Sequence, residues 1–429
     1  MRLSGDVQSG PISERFDAAS VRRGSAPDLA SCYARPPVTR DPAYLAECAA
    51  LKRAVEPFPT LAALHASSGW PEIKARLDRL LSTPRLYTPS VSPAPPKSPE
   101  SIHAVHWNIE HGNWYEKVED ALLHHPDLAG ADLLMFNEID FGMARAGNRD
   151  VAGDLASALG LYGVWVPQFL ETTLGRDDDA LTAGDRENEE SLFGLAILSR
   201  WPLGEVRVVE LPSPQIYQFD LERMVGRHVG LVATIERPGA EFVAVSSHLE
   251  VHRTRAHRAT QLRIVLDSLA EEKLPIILAG DFNTHTFDRG RVWDPLFGAF
   301  VLMCYSEPAL AQRLLYPDRR GTRERMFDEL TRHGFDWDRF VDRDPTLQLR
   351  FERLDELRGF PDFVQRAVKG ALHWAERRGR LRLDWFAGRG WKRGRGCTVG
   401  GLDGPGKASD HSPIVAWFES SRMPSPPTS

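Results

Sequence analysis

Leu274-Pro275-Ile276-Ile277-Leu278-Ala279-Gly280-Asp281-Phe282-Asn283 is a short apolar run that stops on a carboxylate and a carboxamide two residues apart. The apolar part reads as a buried strand. Asp281 and Asn283 cannot both point into a core. They therefore belong at the carboxyl end of that strand, where the chain turns and side chains can reach a ligand. Near the far end of the chain stands Ser409-Asp410-His411-Ser412-Pro413. A second Asp beside a His, set against the first pair, suggests oxygen-ligand metal chemistry on phosphate.

The same grammar recurs outward from this strand. Apolar strand candidates are 104–109, 133–137, 163–167, 195–199, 229–235, 242–247, 276–279, 381–386 and 414–418, and helices are expected over 117–125, 150–159, 257–272 and 361–378. Hairpin-like neighbours alternate with strand–helix–strand units, so the fold class is mixed α/β rather than purely parallel. Several candidates end on polar residues: Asn108 and Glu110, Glu138, His248, Asp281 and Asn283, Asp384, and Asp410 with His411. A few hard oxygen ligands suit Mg²⁺, with Mn²⁺ as a substitute, because these ions keep waters and accept phosphate oxygens. Phosphoester cleavage needs an activating cation, a base for water and a proton-bearing group near the leaving oxygen. This set supplies all three. Taken singly, Asn108 could cap a strand end and Glu138 could be an exposed turn acid.

In order, WNIE (107–110), NEID (137–140), GLAILSRWPL (194–203), SSHLE (246–250), GDFN (280–283), LDW (383–385) and SDHSP (409–413) resemble the motifs of the endonuclease/exonuclease/phosphatase superfamily of divalent-metal hydrolases. The resemblance covers roughly residues 102–419. It implies a four-layer sandwich of two packed mixed β-sheets flanked by helices. It also implies roles: Glu138, Asn108, Glu110 and Asp410 on the metal side, Asp281 orienting or deprotonating water, and Asn283 holding a phosphoryl oxygen. His411 would face the scissile phosphate, polarised by Asp384, and His248 would donate a proton or bind phosphate. An Asp–His pair makes sense physically, because the carboxylate fixes the tautomer and favours a cationic ring.

Other polar residues read as structural. Glu190 and His257 are expected on the solvated surface with His252, and His106 as a packed sheet residue. Arg227, opening the 229–235 strand, could touch phosphate or cover a sheet edge.

At 429 residues the chain accommodates one large catalytic domain plus appendages. Residues 1–40 are polar and read as a disordered tail, 41–87 as a helical extension and 88–100 as a Pro-rich linker. The catalytic domain is expected over 101–419, with a helical insertion at about 298–378 and a disordered tail over 420–429. About a hundred residues separate Asn283 from Asp384, and residues 313–395 hold 21 Lys/Arg against 14 Asp/Glu. That stretch nets +7 while the remainder nets −13 within an overall −6. Interleaved with Trp337, Trp374, Trp385 and Trp391, it could bind an anionic ligand. The simpler reading is arginines that are solvated or paired internally. Cys32, Cys48, Cys304 and Cys397 show no CxxC spacing and read as reduced thiols. The opening residues lack a signal-peptide pattern and no segment reaches membrane-span length, so a cytoplasmic protein is expected.

The function expected from these features is a Mg²⁺-dependent phosphoesterase, a phosphodiesterase before a phosphatase, with nucleic acid the leading substrate. The alternatives are a phosphatase or phospholipid-headgroup phosphodiesterase, and an inactive binding module on the same scaffold.

Overall fold

The computed structural model describes residues 41–175, 178–213, 219, 220, 222–251, 253–284, 294–319, 323–349, 374 and 377–419. The expected tails, His252 and most of the expected 361–378 helix lie outside the described residues.

The strands in chain order are β1 (Arg85–Tyr87), β2 (Ser101–His111), β3 (Leu133–Phe141), β4 (Tyr162–Glu171), β5 (Leu192–Ser199), β6 (Leu203–Glu210), β7 (Met224–Gly226) and β8 (Val229–Ile235). They continue with β9 (Phe242–Ser247), β10 (Ile276–Asp281), β11 (Leu347–Gln348), β12 (Arg380–Leu381), β13 (Asp384–Arg389), β14 (Arg393–Thr398) and β15 (Ile414–Glu419). One sheet has the order β1-β4-β5-β3-β2-β15-β14 with β7 also on β4, and a second runs β13-β10-β9-β8-β6. Only β2–β3 and β9–β10 pair in parallel among the described strands. The sheets are therefore mixed, as expected.

The helices are α1 (Pro42–Val55), α2 (Leu61–Ala66), α3 (Trp70–Leu81), α4 (Tyr115–His124), α5 (Val151–Leu159), α6 (Asp178–Ala183), α7 (Arg255–Asp267), α8 (Asp294–Cys304), α9 (Glu307–Leu314) and α10 (Met326–Arg332). Side chains alternate across a strand, and the three main apolar cores follow from that. Ile102, Ala104, Leu133, Met135, Ile277, Ala279, Phe386 and Ile414 meet between the two sheets. Val105, Trp107, Leu134 and Phe136 face the other way, onto α1 to α5. Val245, Ile276, Leu278, Trp385 and Ala387 pack on α7 and α10. Helix, sheet, sheet and helix form four layers.

Sequence and structure differ at several elements. α7 begins two residues early because the Thr254 hydroxyl accepts from the His257 N–H, an N-cap. The strand expected over 381–386 is broken. β12 pairs with β11, while β13 pairs with β10. At the break the buried Thr346 hydroxyl accepts from the Leu383 and Asp384 N–H groups at 3.0 and 3.2 Å. Residues 88–100 carry no regular element. Lys97 donates to the Ala129 carbonyl, and the carbonyls of Ala94 and Pro99 accept from Arg200 and Arg237. Cys48, Cys304 and Cys397 are unpaired. Among the described residues no helix is long and apolar enough to cross a membrane.

Candidate active site

The alternation that fills the core also places the polar side chains. His106 and Asn108 share the face of Ile102 and Ala104 on β2. Asn137 shares that of Leu133 and Met135 on β3, Asp281 that of Ile277 and Ala279 on β10, and Asp384 that of Phe386 on β13. Each strand is apolar along its length and polar where it reaches the cleft. Asp281 and Asp384 face one another in register. The register shifts between Asn108 and His111 on β2, and between Phe136 and Ile139 on β3. Such bulges re-aim side chains near sites. Glu110, His111 and Glu138 take φ of 46°, 66° and 50°, and Asn283 takes 50°. These are half of the eight non-glycine residues with positive φ among the described residues. Strained backbone that persists at a cleft is a mark of function.

Asn108 ties the two sheets together. Its Nδ2 donates to Glu138 Oε1 at 3.0 Å and to Asp281 Oδ2 at 3.3 Å, while its Oδ1 accepts from the Glu110 N–H at 3.2 Å. Asn137 Oδ1 accepts from the Asp281 N–H at 2.8 Å. Asp281 Oδ1 accepts from the Asn283 N–H at 2.9 Å, which leaves Oδ2 toward the cleft, 3.7 Å from His248 Nε2 and 3.8 Å from His411 Nε2. His248 Nε2 also lies 3.8 Å from Glu138 Oε1. Asn283 Nδ2 donates to the Leu249 carbonyl at 2.8 Å, which commits one of its two amide hydrogens. Asp384 Oδ2 meets His411 Nδ1 at 2.7 Å, and its Oδ1 meets His106 Nε2 at 3.0 Å. The loop carrying Asp410 and His411 is anchored on β2, since Ser409 Oγ donates to the Asn108 carbonyl and Trp107 Nε1 to the His411 carbonyl.

The electrostatics divide the cleft in two. Burial, then the neighbouring Asp410, push Glu110 up to about 8. Asp410 is raised by burial and by Glu138. Burial would raise Glu138 too, but His111 and His248 hold it below the usual carboxylate range. This corner is a crowd of carboxylates that resist ionising together. On the other side, Asp384 is held low by His411 and His106 against the effect of burial. Burial would lower His411, but Asp384 and Asp410 raise it well above the usual imidazole range. Burial and the neighbouring Asp384 raise Asp281.

Asp281, Asp384 and His411 bring ligand atoms within 4.8 Å of one another. Both Asp384 oxygens are already taken by imidazoles, so the trio is an Asp384–His411 hydrogen bond with Asp281 at ion-pair distance from the ring. Glu138, Glu110 and Asp410 form the carboxylate-rich side of the cleft, and a hard cation would relieve their mutual repulsion.

All nine residues singled out from the sequence gather at this cleft. Four further residues enter it. His106 holds Asp384, and Asn137 holds the Asp281 backbone. Thr346 fixes the turn into Asp384, and its carbonyl accepts from the Ser412 N–H. His111 Nε2 lies 3.6 Å from Glu138 Oε2 and 3.8 Å from Asp179 Oδ2. Burial and Arg145 would depress its imidazole, but Asp179, Asp140 and Glu138 outweigh them and raise it to about 10. His106 and Asn137 had a signal in the sequence, since each shares strand parity with a neighbouring cleft or core residue. Thr346 had none.

The surface readings of Glu190 and His257 change, and Arg227, left open by the sequence, has a defined contact. Glu190 is buried rather than solvated, packed where Gly142 leaves room for it. Gly142 has a φ of +66°, and a Cβ there would lie 2.0 Å from Glu190 Oε2, so the close approach requires glycine. Arg227 faces the helical extension, donating to the Leu81 carbonyl and Ser82 Oγ at the end of α3. His257 is half-buried and meets Glu250 Oε2 at 3.1 Å.

A model of the Endonuclease/Exonuclease/phosphatase family matches residues 105–411. The chain is similar to a solved endonuclease/exonuclease/phosphatase from Beutenbergia cavernae, with 17% identity over 76% of this chain and 72% of that one and a TM-score of 0.46. It is similar also to a 3′-5′ exonuclease (NExo) from Neisseria meningitidis, with 15% identity, 74% and 100% covered and a TM-score of 0.42. Truncated Caenorhabditis elegans TDP2 gives 15%, 75% and 98%, and 0.41. No curated protein matches.

Proposed function

This chain belongs to the endonuclease/exonuclease/phosphatase family, and from that membership we propose a divalent-metal-dependent phosphoesterase, a phosphodiesterase before a phosphatase, that works by in-line attack of water. The observation that carries the reading is the convergence of a carboxylate corner and an Asp–His array on one cleft, joined through Asn108.

Glu138, Glu110 and Asp410 would hold Mg²⁺, or Mn²⁺ in its place, with Asn108 orienting Glu138. The ion, when bound, supplies Lewis-acid polarisation of a phosphoryl oxygen. Asp281 Oδ2, which accepts from Asn108 and keeps a second lone pair, has the raised proton affinity suited to orienting water and taking its proton. Asn283 keeps an amide hydrogen for a phosphoryl oxygen. His411, held cationic by Asp384, offers Nε2–H to phosphate. His248 Nε2 is the candidate proton donor to the leaving oxygen.

The basic surplus in 313–395 supports nucleic acid as the first substrate class. Many described arginines of that stretch are spent internally, however. Arg343 holds Asp318, Arg323 holds Asp328, Arg339 holds Asp336, and the buried Arg382 holds Asp342. That pairing favours the second reading, a phosphatase or phospholipid-headgroup phosphodiesterase.

The deciding experiment is a panel of phosphate esters assayed with Mg²⁺ and Mn²⁺, with Asp281→Ala as the blank. Chelation should abolish activity, and Asp281→Ala should lower kcat by about 10²- to 10⁴-fold. Activity that survives both sinks the proposal. Steep salt dependence of DNA or RNA binding would select the nuclease reading; a shallow one selects the smaller substrates.

A further inference from the structure

The Asp384 carboxylate, on the second sheet, is gripped by two histidines of the first. His411, in the loop leading into β15 of the first sheet, meets Oδ2 at 2.7 Å, and His106 on β2 meets Oδ1 at 3.0 Å, while Asp384 itself opens β13 of the second sheet. His106 is 0% exposed, Asp384 1% and His411 4%. An ionised carboxylate only accepts hydrogen bonds, so both rings present N–H groups to it. The other His106 nitrogen, Nδ1, has no hydrogen-bond partner among the described residues, and the ring stands edge-on to Phe386 at 6.5 Å. Among the described residues its one polar engagement is therefore with Asp384.

We propose that His106 is a positioning residue for the reaction, holding Asp384 Oδ1 so that the carboxylate keeps the single orientation in which Oδ2 fixes the His411 ring. A carboxylate with one donor can turn about its Cβ–Cγ bond. A second donor on the other oxygen removes that freedom. His411 Nε2 is then directed to the cleft, 3.8 Å from Asp281 Oδ2. Sharing the negative charge between two N–H donors also makes Asp384 a poorer acceptor for the His411 proton, which keeps that proton on the ring facing phosphate. A leucine at 106 would fill much the same space between the sheets but hold nothing, so packing and positioning separate cleanly.

This inference rests on the phosphoesterase reading, and its test has one arm that needs no activity. In the full-length protein with Mg²⁺, His106→Leu should lower kcat by about 10- to 100-fold, the usual loss for a partner one step removed from the site. KM should stay within about twofold, because the substrate contacts are untouched. His106→Gln, which keeps a donor at similar reach, should recover most of the loss. In an Asp384→Asn background, His106→Leu should add nothing, because its effect passes through Asp384. Independently, the proton of the short His411–Asp384 hydrogen bond should give a low-field ¹H resonance. It should vanish in Asp384→Asn, move in His106→Leu and stay near its wild-type position in His106→Gln.

Wild-type kcat in a folded His106→Leu protein overturns the inference, as does the same fold-loss in the Asp384→Asn background. If His106→Leu does not fold, the resonance of His106→Gln decides: retention supports positioning, and disappearance refutes it. A wild type inactive on every ester sinks the phosphoesterase reading instead, and the resonance arm still judges His106.

Discussion

As a proposed metal ligand, Glu110 is the residue at which pH and metal should meet. Its carboxyl is raised from 4.5 to about 8 by burial and by Asp410. The metal-free fold therefore keeps a proton that the unfolded chain gives up near 4.5. The stability this contributes is complete below that pH and is lost as pH rises through 8. A bound cation demands the ionised form, so its affinity should move the other way. Mg²⁺ should bind about 100-fold more weakly at pH 6 than on the plateau above 8, if one proton is displaced per ion. Calorimetry in two buffers of different ionisation enthalpy should find close to one proton released at pH 7, and Glu110→Gln should remove the release. Affinity flat from pH 6 to 8 would count against Glu110 as a ligand. The position of Glu110 was readable from the sequence, because it ends a strand in the register of Asn108. Its left-handed backbone at a bulge was not, since only the pairing with β3 reveals two residues opposing fewer. His106 was readable as a packed sheet residue, which it is. Its hold on Asp384 was not, because the partner lies 278 positions away in the chain.

Among the elements, the junction between β12 and β13 shows what the insertion does for the site. Leu381, Leu383, Trp385 and Phe386 alternate with Arg382 and Asp384, a pattern that suggests one strand. It divides because the Thr346 hydroxyl accepts two successive N–H groups there, from Leu383 and Asp384, and no local pattern announces a partner 37 residues upstream. The Thr346 carbonyl then accepts from Ser412, and Leu347 bridges to His411. The insertion therefore buttresses Asp384 and His411 as well as lying beside them. Thr346→Val keeps the shape but strands two buried donors, which should cost about 2–4 kcal/mol in denaturant unfolding and lower kcat with it. Thr346→Ser, which retains the acceptor, should recover most of both. A deletion meant to probe substrate choice should consequently spare Thr346 and remove only 350–373. If Thr346→Val is as stable and active as wild type, the hydroxyl is incidental to the site.

For the molecule as a whole, the family model begins at residue 105, yet the core beneath β2 and β3 is closed by residues well before it. Helical periodicity in the sequence located α1 and α3, because Cys48, Leu51 and Val55, and Ile73 and Leu77, recur on one face. What periodicity cannot supply is the surface such a face covers. Here it is the outer side of the first sheet, where Leu51, Leu77, Leu80 and Leu81 join Trp107, Phe136 and Trp165 in one core. β1 also adds an edge strand to β4. The extension is pinned at several points besides. Lys52 donates to the carbonyls of Asn188 and Glu189, the Leu61 N–H to Asp220, and Arg223 to the Pro59 carbonyl. Each fully buried large aliphatic side chain is worth about 1.5–3 kcal/mol, and a domain's net stability is only about 5–15 kcal/mol. Losing the cover should therefore undo the fold rather than trim it. A chain beginning at Ser101 should express as aggregate or melt far below the full-length protein, whereas one beginning at Asp41 should melt with it. Thermal unfolding followed by circular dichroism, with activity assayed on the same samples, makes the comparison. A 101–429 protein that folds with an unchanged Tm would mean the extension is an appendage and the first sheet is stable with its outer face bare.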